Sequence, residues 1–204
     1  MRAFVIAMDC EADAVRPHLG PGDRLYVSGI GKVNAAAATQ RAVDEWRAEC
    51  RLNGADVPFE IVNAGVAGGV DPSMSPGDVF EIDRAVEYDF DLATLNGTEV
   101  GVHNERSTPY FSLVTSGLFP SRTLGTGDRF SDSEADLPLL ARLGVGVRDM
   151  EGAAVAHVCE TNGVRCRSVK CITNVVGRGA TGQFKGNLAN ALGRLSDALG
   201  KVIG

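Results

Sequence analysis

The sequence contains no apolar run that approaches the roughly 20 residues needed to span a membrane, and it has no excess of positive charge. Its 204 residues include 20 Lys and Arg against 26 Asp and Glu, which gives a net charge of −6. A protein that binds nucleic acid non-specifically needs a basic face to displace counterions, so neither nucleic acid nor a membrane is an expected partner. The first residues, MRAFVIAMDCEAD, lack the longer apolar stretch and cleavage site of a signal peptide, and we expect a cytoplasmic protein.

The usual spacings of metal-binding residues are also absent. The cysteines include no Cys-x-x-Cys pair, and none of the three histidines is spaced with a cysteine as in a zinc finger. The sequence therefore predicts no metal and no cofactor. It predicts free thiols in a reducing compartment at all five cysteines, which are Cys10, Cys50, Cys159, Cys166 and Cys171.

Short apolar runs that predict strands alternate with longer stretches that have helical spacing. Glycine is abundant, at 25 residues, and clusters where the apolar runs end. This pattern is typical of a layered α/β domain with a largely parallel central sheet, and we expect a single domain over residues 1–204. We predict a strand at 59–64 that ends in a glycine loop, and helices at 150–162 and 187–202.

In sheets of this kind, ligands bind where the strands end at their carboxyl termini. The predicted strand ends select five candidate segments, which are 7–11, 29–32, 64–69, 126–130 and 173–179. The glycines at 29–31 and 65–69 form neither a dinucleotide-binding fingerprint nor a Walker loop. They are consistent with a close approach of the backbone to a ligand or with tight turns that bind nothing.

Three acids stand at predicted starts of helices. Glu11 follows the first strand, and Asp149 and Glu151 flank Met150 before a later helix. A carboxylate at a helix N-terminus is electrostatically favoured, so each acid has a purely structural explanation. The functional alternative is that Glu11 faces a pocket and that Glu151 accepts hydrogen bonds from sugar hydroxyls.

Asn174 lies at the end of an apolar strand. Its amide offers both a donor and an acceptor, which is the combination that recognises the edge of a planar base. The structural alternative is that the side chain caps a turn.

Taken together, these segments resemble the purine nucleoside phosphorylase superfamily, and most closely its hydrolytic branch, the methylthioadenosine/S-adenosylhomocysteine nucleosidases. The resemblance covers nearly the whole chain. The motifs that carry it are Ala7-Met8 with Glu11, Ser28-Gly29-Ile30-Gly31-Lys32-Val33, Asn63-Ala64-Gly65-Val66-Ala67-Gly68-Gly69, Pro76-Gly77-Asp78-Val79, Thr126-Gly127-Asp128 with Phe130, Asp149-Met150-Glu151-Gly152-Ala153-Ala154-Val155-Ala156, and Thr173-Asn174.

The resemblance implies a three-layer α/β/α fold around a mixed sheet, a homodimer, and cleavage of the N-ribosyl bond of a purine nucleoside by water. By the same resemblance, Glu11 activates the water, Glu151 holds the ribose hydroxyls, Phe130 stacks on the base, and Lys170 lies near the catalytic carboxylate. We assign catalytic roles to Glu11 and Asn174. The positions that match substrate-binding residues of the family are Ala7, Met8, Ile30, Val66, Phe130, Ser131, Asp149, Met150, Glu151 and Lys170.

The chain departs from the nucleosidase pattern at two of these positions. Asn174 stands where the nucleosidases carry an aspartate, and an amide cannot deliver a proton to the leaving adenine. The stretch that begins at Thr173 resembles the futalosine hydrolases of the same superfamily, which release hypoxanthine. Val66 replaces a serine in the glycine segment.

Two other functions remain open alternatives at this point. A phosphorylase needs a phosphate site, normally built from arginines and a hydroxyl, and the glycine segment at 63–69 carries neither Arg nor Ser. A non-catalytic nucleoside-binding protein would keep the pocket but would not need Glu11. We therefore expect water as the nucleophile.

Overall fold

The computed structural model of the chain describes residues 1–55, 57–103, 106–130, 134–177 and 179–203. The strands are β1 (Arg2–Ile6), β2 (Arg24–Val27), β3 (Glu60–Gly69), β4 (Val79–Glu87), β5 (Phe111–Ser112), β6 (Ser121–Thr126), β7 (Val145–Asp149) and β8 (Arg165–Val175). The helices are α1 (Asp9–Val15), α2 (Lys32–Asn53), α3 (Ala93–Asn96), α4 (Leu137–Arg142), α5 (Gly152–Asn162) and α6 (Ala180–Val202). None of the helices in the described part of the chain is long and apolar enough to cross a membrane.

The strands form one mixed sheet. Parallel pairs join β1 to β2 and β3, β3 to β8, and β6 to β4 and β7, whereas β3–β7, β4–β5 and β4–β8 are antiparallel. Pairing along β3, β8, β4, β6 and β7 returns to β3, so these five strands close into a ring. The arrangement brings the carboxyl ends of β1, β3, β7 and β8 close together.

Helices cover the sheet on both sides. On one side α2 and α5 pack together and bury small side chains such as Ala42 and Ala153 against the strands. On the other side α1 and α6 pack together and contribute Ala12, Leu195 and Leu199 to a second apolar cluster. The predicted three-layer α/β/α class with a mixed, largely parallel sheet is confirmed.

The predicted glycine loop after residue 64 is instead the second half of β3. This strand pairs with β8 from Glu60 to Gly69, with one irregularity between Ala67 and Gly68. The prediction was wrong here because glycine weakens an isolated strand, whereas partners on both sides supply hydrogen bonds that override the local preference.

Two predicted helix starts also move. α5 begins at Gly152 rather than at residue 150, so Met150 and Glu151 lie in the bend before it. α6 begins at Ala180, seven residues before the predicted start at 187, although its first turns contain Gly182 and Gly186. The apolar face of α6 packs on β8 and β3, and this burial outweighs the poor helix propensity of glycine.

Candidate active site

A cavity of about 330 Å³ opens where the carboxyl ends of β1, β3, β7 and β8 meet. Its walls come from the turn before α1, the glycine half of β3, the bend between β7 and α5, the end of β8 and the start of α6. The lining residues are Ala7, Met8, Glu11, Ile30, Val66, Ala67, Gly68, Phe130, Arg148, Asp149, Met150, Glu151, Thr173, Asn174, Thr181 and Phe184.

The structure places most of the residues selected from the sequence around this one cavity. Those that line it are Glu11, Asn174, Ala7, Met8, Ile30, Val66, Phe130, Asp149, Met150 and Glu151. Lys170 does not line it but lies behind its acidic wall, with a side chain only 2% exposed. Ser131, chosen for its backbone groups, lies outside the described residues.

Glu11 is held by backbone groups from two elements. It is the third residue of α1, and its Oε2 accepts a hydrogen bond from the Met8 amide at 3.1 Å, which caps the helix. Its Oε1 accepts a hydrogen bond from the Val66 amide of β3 at 2.8 Å. Burial raises the pKa of the Glu11 carboxyl, although Lys170 and these amides oppose the shift. A buried, oriented carboxylate of raised basicity suits a general base.

Gly65 leaves the space that the Glu11 carboxylate occupies. A Cβ at Gly65 would lie 2.6 Å from Glu11 Oε1, closer than atoms can approach without displacement. The glycine in the middle of β3 therefore leaves the Glu11 carboxylate in its place, where a larger side chain would displace it.

Glu151 meets the N-terminus of α2. Its Oε1 accepts a hydrogen bond from the Gly31 amide at 2.8 Å, and Gly31 has a φ of +104°, a conformation that favours glycine. Burial and the neighbouring Asp149 carboxylate raise the pKa of Glu151 to about 7, against the opposing effect of Lys170. The Glu151 carboxylate can therefore accept hydrogen bonds from hydroxyl groups, and its own charge changes near neutral pH.

Asp149 already has donors on both oxygens. Oδ1 accepts from the Thr126 hydroxyl at 2.6 Å, and Oδ2 accepts from the Gly152 amide at 2.9 Å and pairs with Lys170 Nζ at 2.8 Å. Burial disfavours the charged form of Lys170, but the carboxylates of Asp149, Glu151 and Glu11 outweigh it and raise the pKa of the ammonium group. Asp149 and Lys170 therefore form an internal ion pair that supports the two acids facing the cavity.

Asn174 presents its amide nitrogen to the cavity. Its Oδ1 accepts a hydrogen bond from the Thr173 hydroxyl at 2.9 Å, which determines which way the amide faces. Nδ2 lies on the side of Gly68, where a Cβ would come within 3.3 Å of it. Among the described residues no acceptor is bonded to this NH2 group.

Two lining side chains that sequence reasoning missed are Arg148 and Phe184. Arg148 directly precedes Asp149, and its side chain passes close to Gly68 at the same end of the cavity as Asn174. Phe184 meets Phe130 edge to face, with ring centroids 5.8 Å apart, although Phe130 is half exposed. No local signal identifies Phe184, because its position depends on the early start of α6. Of the smaller lining residues, Ala67, Gly68 and Thr173 fall within the candidate segments 64–69 and 173–179, whereas Thr181 lies outside them.

Comparisons with known proteins place this geometry in context. The profile of the family described as the phosphorylase superfamily matches residues 24–203. The 5'-methylthioadenosine/S-adenosylhomocysteine nucleosidase of Marinomonas sp. is 31% identical over an alignment of 179 positions, and the match covers 79% of this chain and 71% of that protein. The enzyme of the same name from Arabidopsis thaliana is 30% identical and covers 90% of this chain and 70% of its own.

Solved structures show the same fold. The 5'-methylthioadenosine/S-adenosylhomocysteine nucleosidase of Neisseria meningitidis, in complex with methylthio-immucillin-A, superposes with a TM-score of 0.81 at 22% identity, covering 99% of this chain and 97% of that chain. The futalosine hydrolase of Helicobacter pylori gives a TM-score of 0.80 at 19% identity, covering 97% and 94%. At these identities the likeness concerns the fold, which two enzymes with different names share.

Proposed function

The chain belongs to the phosphorylase superfamily as a purine nucleosidase, an N-glycosyl hydrolase, and we propose that it acts on a 5′-modified purine nucleoside with Glu11 as the base that activates water. The observation that carries this proposal is the anchoring of the buried Glu11 carboxylate by the amides of Met8 and Val66 on the cavity wall. A structural acid at a helix start would not require the glycine that β3 provides beneath it.

The reaction makes two demands on the site. As the bond to the base breaks, the ribose gains oxocarbenium character, as in glycoside hydrolysis, and water must attack the anomeric carbon. Glu11 takes a proton from that water, and the base leaves with the electron pair of the broken bond and takes up a proton, so that free sugar and free base are formed. Glu151 accepts hydrogen bonds from ribose hydroxyls, and these bonds strengthen as positive charge develops on the sugar. Lys170, paired with Asp149, acts on both acids through its charge from behind the cavity wall.

Apolar side chains line much of the cavity, and they suit an apolar substituent on the 5′ carbon of the nucleoside. Met8, Ile30, Phe130 and Phe184 all line the cavity. Phe130 offers an aromatic face for the base, as the resemblance to the family implied. The curated relatives named above act, by their names, on methylthioadenosine and S-adenosylhomocysteine, and both of these nucleosides carry a thioether at the 5′ position.

A second candidate is a nucleoside whose base is a 6-oxopurine, such as futalosine. Its base offers acceptors at N7 and O6, which match the NH2 group that Asn174 turns toward the cavity. Arg148 at the same end presents only donors. Adenine places a donor at its 6-amino group, so an amide NH2 and a guanidinium suit it less well.

We further propose a cytoplasmic homodimer. All five cysteines are free thiols in the structure, as a reducing compartment would keep them. Ile30 and Val33 near the start of α2 and Leu95 in α3 are large apolar side chains that are between half and four-fifths exposed. Such exposure favours burial against a second copy, and light scattering on the purified protein should report twice the mass of one chain.

The reaction is tested by incubating the protein with methylthioadenosine, S-adenosylhomocysteine, inosine and futalosine, with and without phosphate. We expect release of free base and free sugar at a rate that does not depend on phosphate. Ribose 1-phosphate as product, formed at a rate that saturates with phosphate, would place the chain among the phosphorylases. Binding of these nucleosides with no turnover would support a binding protein.

A further inference from the structure

Two of the three histidines of the sequence meet a buried glutamate at a distance from the nucleosidase cavity. Glu87 ends β4, His103 follows the turn after α3, and His157 lies on α5. Each residue offers one atom that could bind a metal ion, and these three atoms all lie within 4.8 Å of one another. They belong to the wall of a second cavity, of about 570 Å³, between α2 and α5.

The arrangement of the donor atoms suits a tetrahedral metal ion. Glu87 Oε1 lies 3.2 Å from His157 Nδ1 and 3.6 Å from His103 Nε2. Bonds of about 2.0–2.2 Å at tetrahedral angles place neighbouring ligand atoms about 3.4 Å apart. Two edges of the tetrahedron therefore already have about their expected length, and the third, between the two histidines, lies within 4.8 Å.

The ring nitrogen Nε2 of His103 is buried, and no described residue forms a hydrogen bond with it. Phe90 stacks on the ring at 4.0 Å, and Phe111 stacks on His157 at 4.5 Å, so both imidazoles are held with their edges toward Glu87.

The nearest positively charged side chain, Lys32, pairs with Oε2 of Glu87 and not with Oε1. Lys32 Nζ lies 3.3 Å from Glu87 Oε2, on the other side of the carboxylate, and is closer to Asp89 Oδ1 at 2.6 Å. With Asp89 opposite Lys32, the charge on Glu87 remains available to an ion at Oε1.

We propose that Glu87, His103 and His157 form a binding site for a divalent transition-metal ion, with Zn²⁺ as the best fit. Two imidazoles and one carboxylate are a known ligand set of zinc, and the fourth position opens into the second cavity, where water or a further ligand completes the coordination. All three ligands come from one chain, so the site does not require a dimer. The search for zinc-finger spacing of cysteine and histidine could not detect this site, because the site contains no cysteine.

The test is a metal titration of the full chain after dialysis against a chelator. Co²⁺ reports tetrahedral coordination through its visible absorption, and Zn²⁺ should displace it. We expect one ion per chain and a rise of the Tm with the ion present, because a ligand that binds only the native state stabilises it. Wild type with no Co²⁺ absorption and no Tm shift would overturn the proposal.

Variants locate the ion. Glu87→Gln, His103→Gln and His157→Gln should each weaken binding by at least about tenfold. His18→Gln is the matched control, because the remaining histidine bonds to Ser196 on α6 and should bind the ion as wild type does. Since His157 is the most exposed ligand, the metal-free His157→Gln variant should have the same Tm as metal-free wild type. Equal affinity in all four variants, or loss of binding in Glu11→Gln instead, would place the ion elsewhere and refute this site.

Discussion

Glu11 is the residue on which the proposed chemistry depends most directly. Replacing it with glutamine keeps the shape and an oxygen for the Val66 amide, but an amide cannot take a proton from water. We expect Glu11→Gln to lower kcat by at least about 10²-fold with KM little changed, measured by release of free base. A loss below about threefold would remove Glu11 from the role of base. Thermal unfolding of the variant serves as the control for folding.

We expect the single side chain of Asn174 to discriminate between the two classes of base. An unmatched buried donor costs about 1–3 kcal/mol, or roughly tenfold to a hundredfold in discrimination. We therefore expect wild type to favour a 6-oxopurine nucleoside over its adenine analogue by about that ratio. Asn174→Asp should shift kcat/KM toward adenine, because a buried, protonated acid can donate to N7 as the bond breaks.

Thr173 provides a second variant for the same question. Its hydroxyl donates a hydrogen bond to the Asn174 amide oxygen and so orients the amide. Thr173→Val should therefore reduce the ratio of kcat/KM for a 6-oxopurine nucleoside to that for its adenine analogue, although the amide itself remains. Efficient cleavage of methylthioadenosine by wild type, with no activity on any hypoxanthine nucleoside, would contradict this explanation of Asn174.

At the scale of the element, β3 combines a structural and a functional requirement at Gly65. A methyl group there would meet Glu11 Oε1 at 2.6 Å, so Gly65→Ala should displace the carboxylate. We expect a stability loss of about 1–3 kcal/mol in chemical denaturation and a fall in kcat of at least about tenfold. The size of the added group is small, and the effect arises from its position in the sheet.

Gly193→Ala is the matched control for Gly65→Ala. Gly193 is exposed within α6, and a Cβ there would meet no atom within 4 Å. The same substitution should stabilise the helix by roughly 0.5–1 kcal/mol and leave kcat unchanged. Similar losses in both variants would show that Gly65 has no special relation to Glu11.

For the whole molecule, the buried acids make stability depend on pH. Burial and Asp149 raise the pKa of Glu151 to about 7, above the value of about 4.3 for an unfolded chain. The native state then binds this proton more tightly than the unfolded state. The resulting stability is fully present below about pH 4.3 and is lost as the pH rises through about 7.

Glu151→Gln stays neutral at every pH and should remove this dependence. We expect the variant to be more stable than wild type by about 1–3 kcal/mol at about pH 8, and the difference to shrink toward about pH 5. Activity should fall in the same variant, since a neutral amide holds the ribose hydroxyls less strongly as charge develops. Glu99→Gln, an exposed acid, controls for the loss of one negative charge. A stability difference that grows toward low pH would contradict a raised pKa at Glu151.

The elements of the fold differ in how well the sequence predicts them. The start of β3 and most of α5 lie close to the positions predicted at 59–64 and 150–162. The glycine half of β3 and the first seven residues of α6 do not, because glycine is unfavourable locally in both elements. Pairing with β8 and burial against the sheet supply the missing stability, and neither is encoded in a short window of sequence.

The sequence by itself determined the α/β class and the set of strand-end residues that includes Glu11, Glu151 and Asn174. It could do so because parallel strands direct their carboxyl ends toward one region of the sheet. Only the tertiary structure decided what each of these groups does there: that Val66 anchors Glu11, that Gly31 binds Glu151, and that Thr173 turns the amide of Asn174.

Only the tertiary structure, too, brought Arg148 and Phe184 to the cavity and joined Glu87 to His103 and His157. These contacts link residues that are far apart in the chain, and their distances depend on how helices pack on a closed ring of strands. Patterns of composition and spacing are local, whereas burial, pKa shifts and donor geometry arise from neighbours in space.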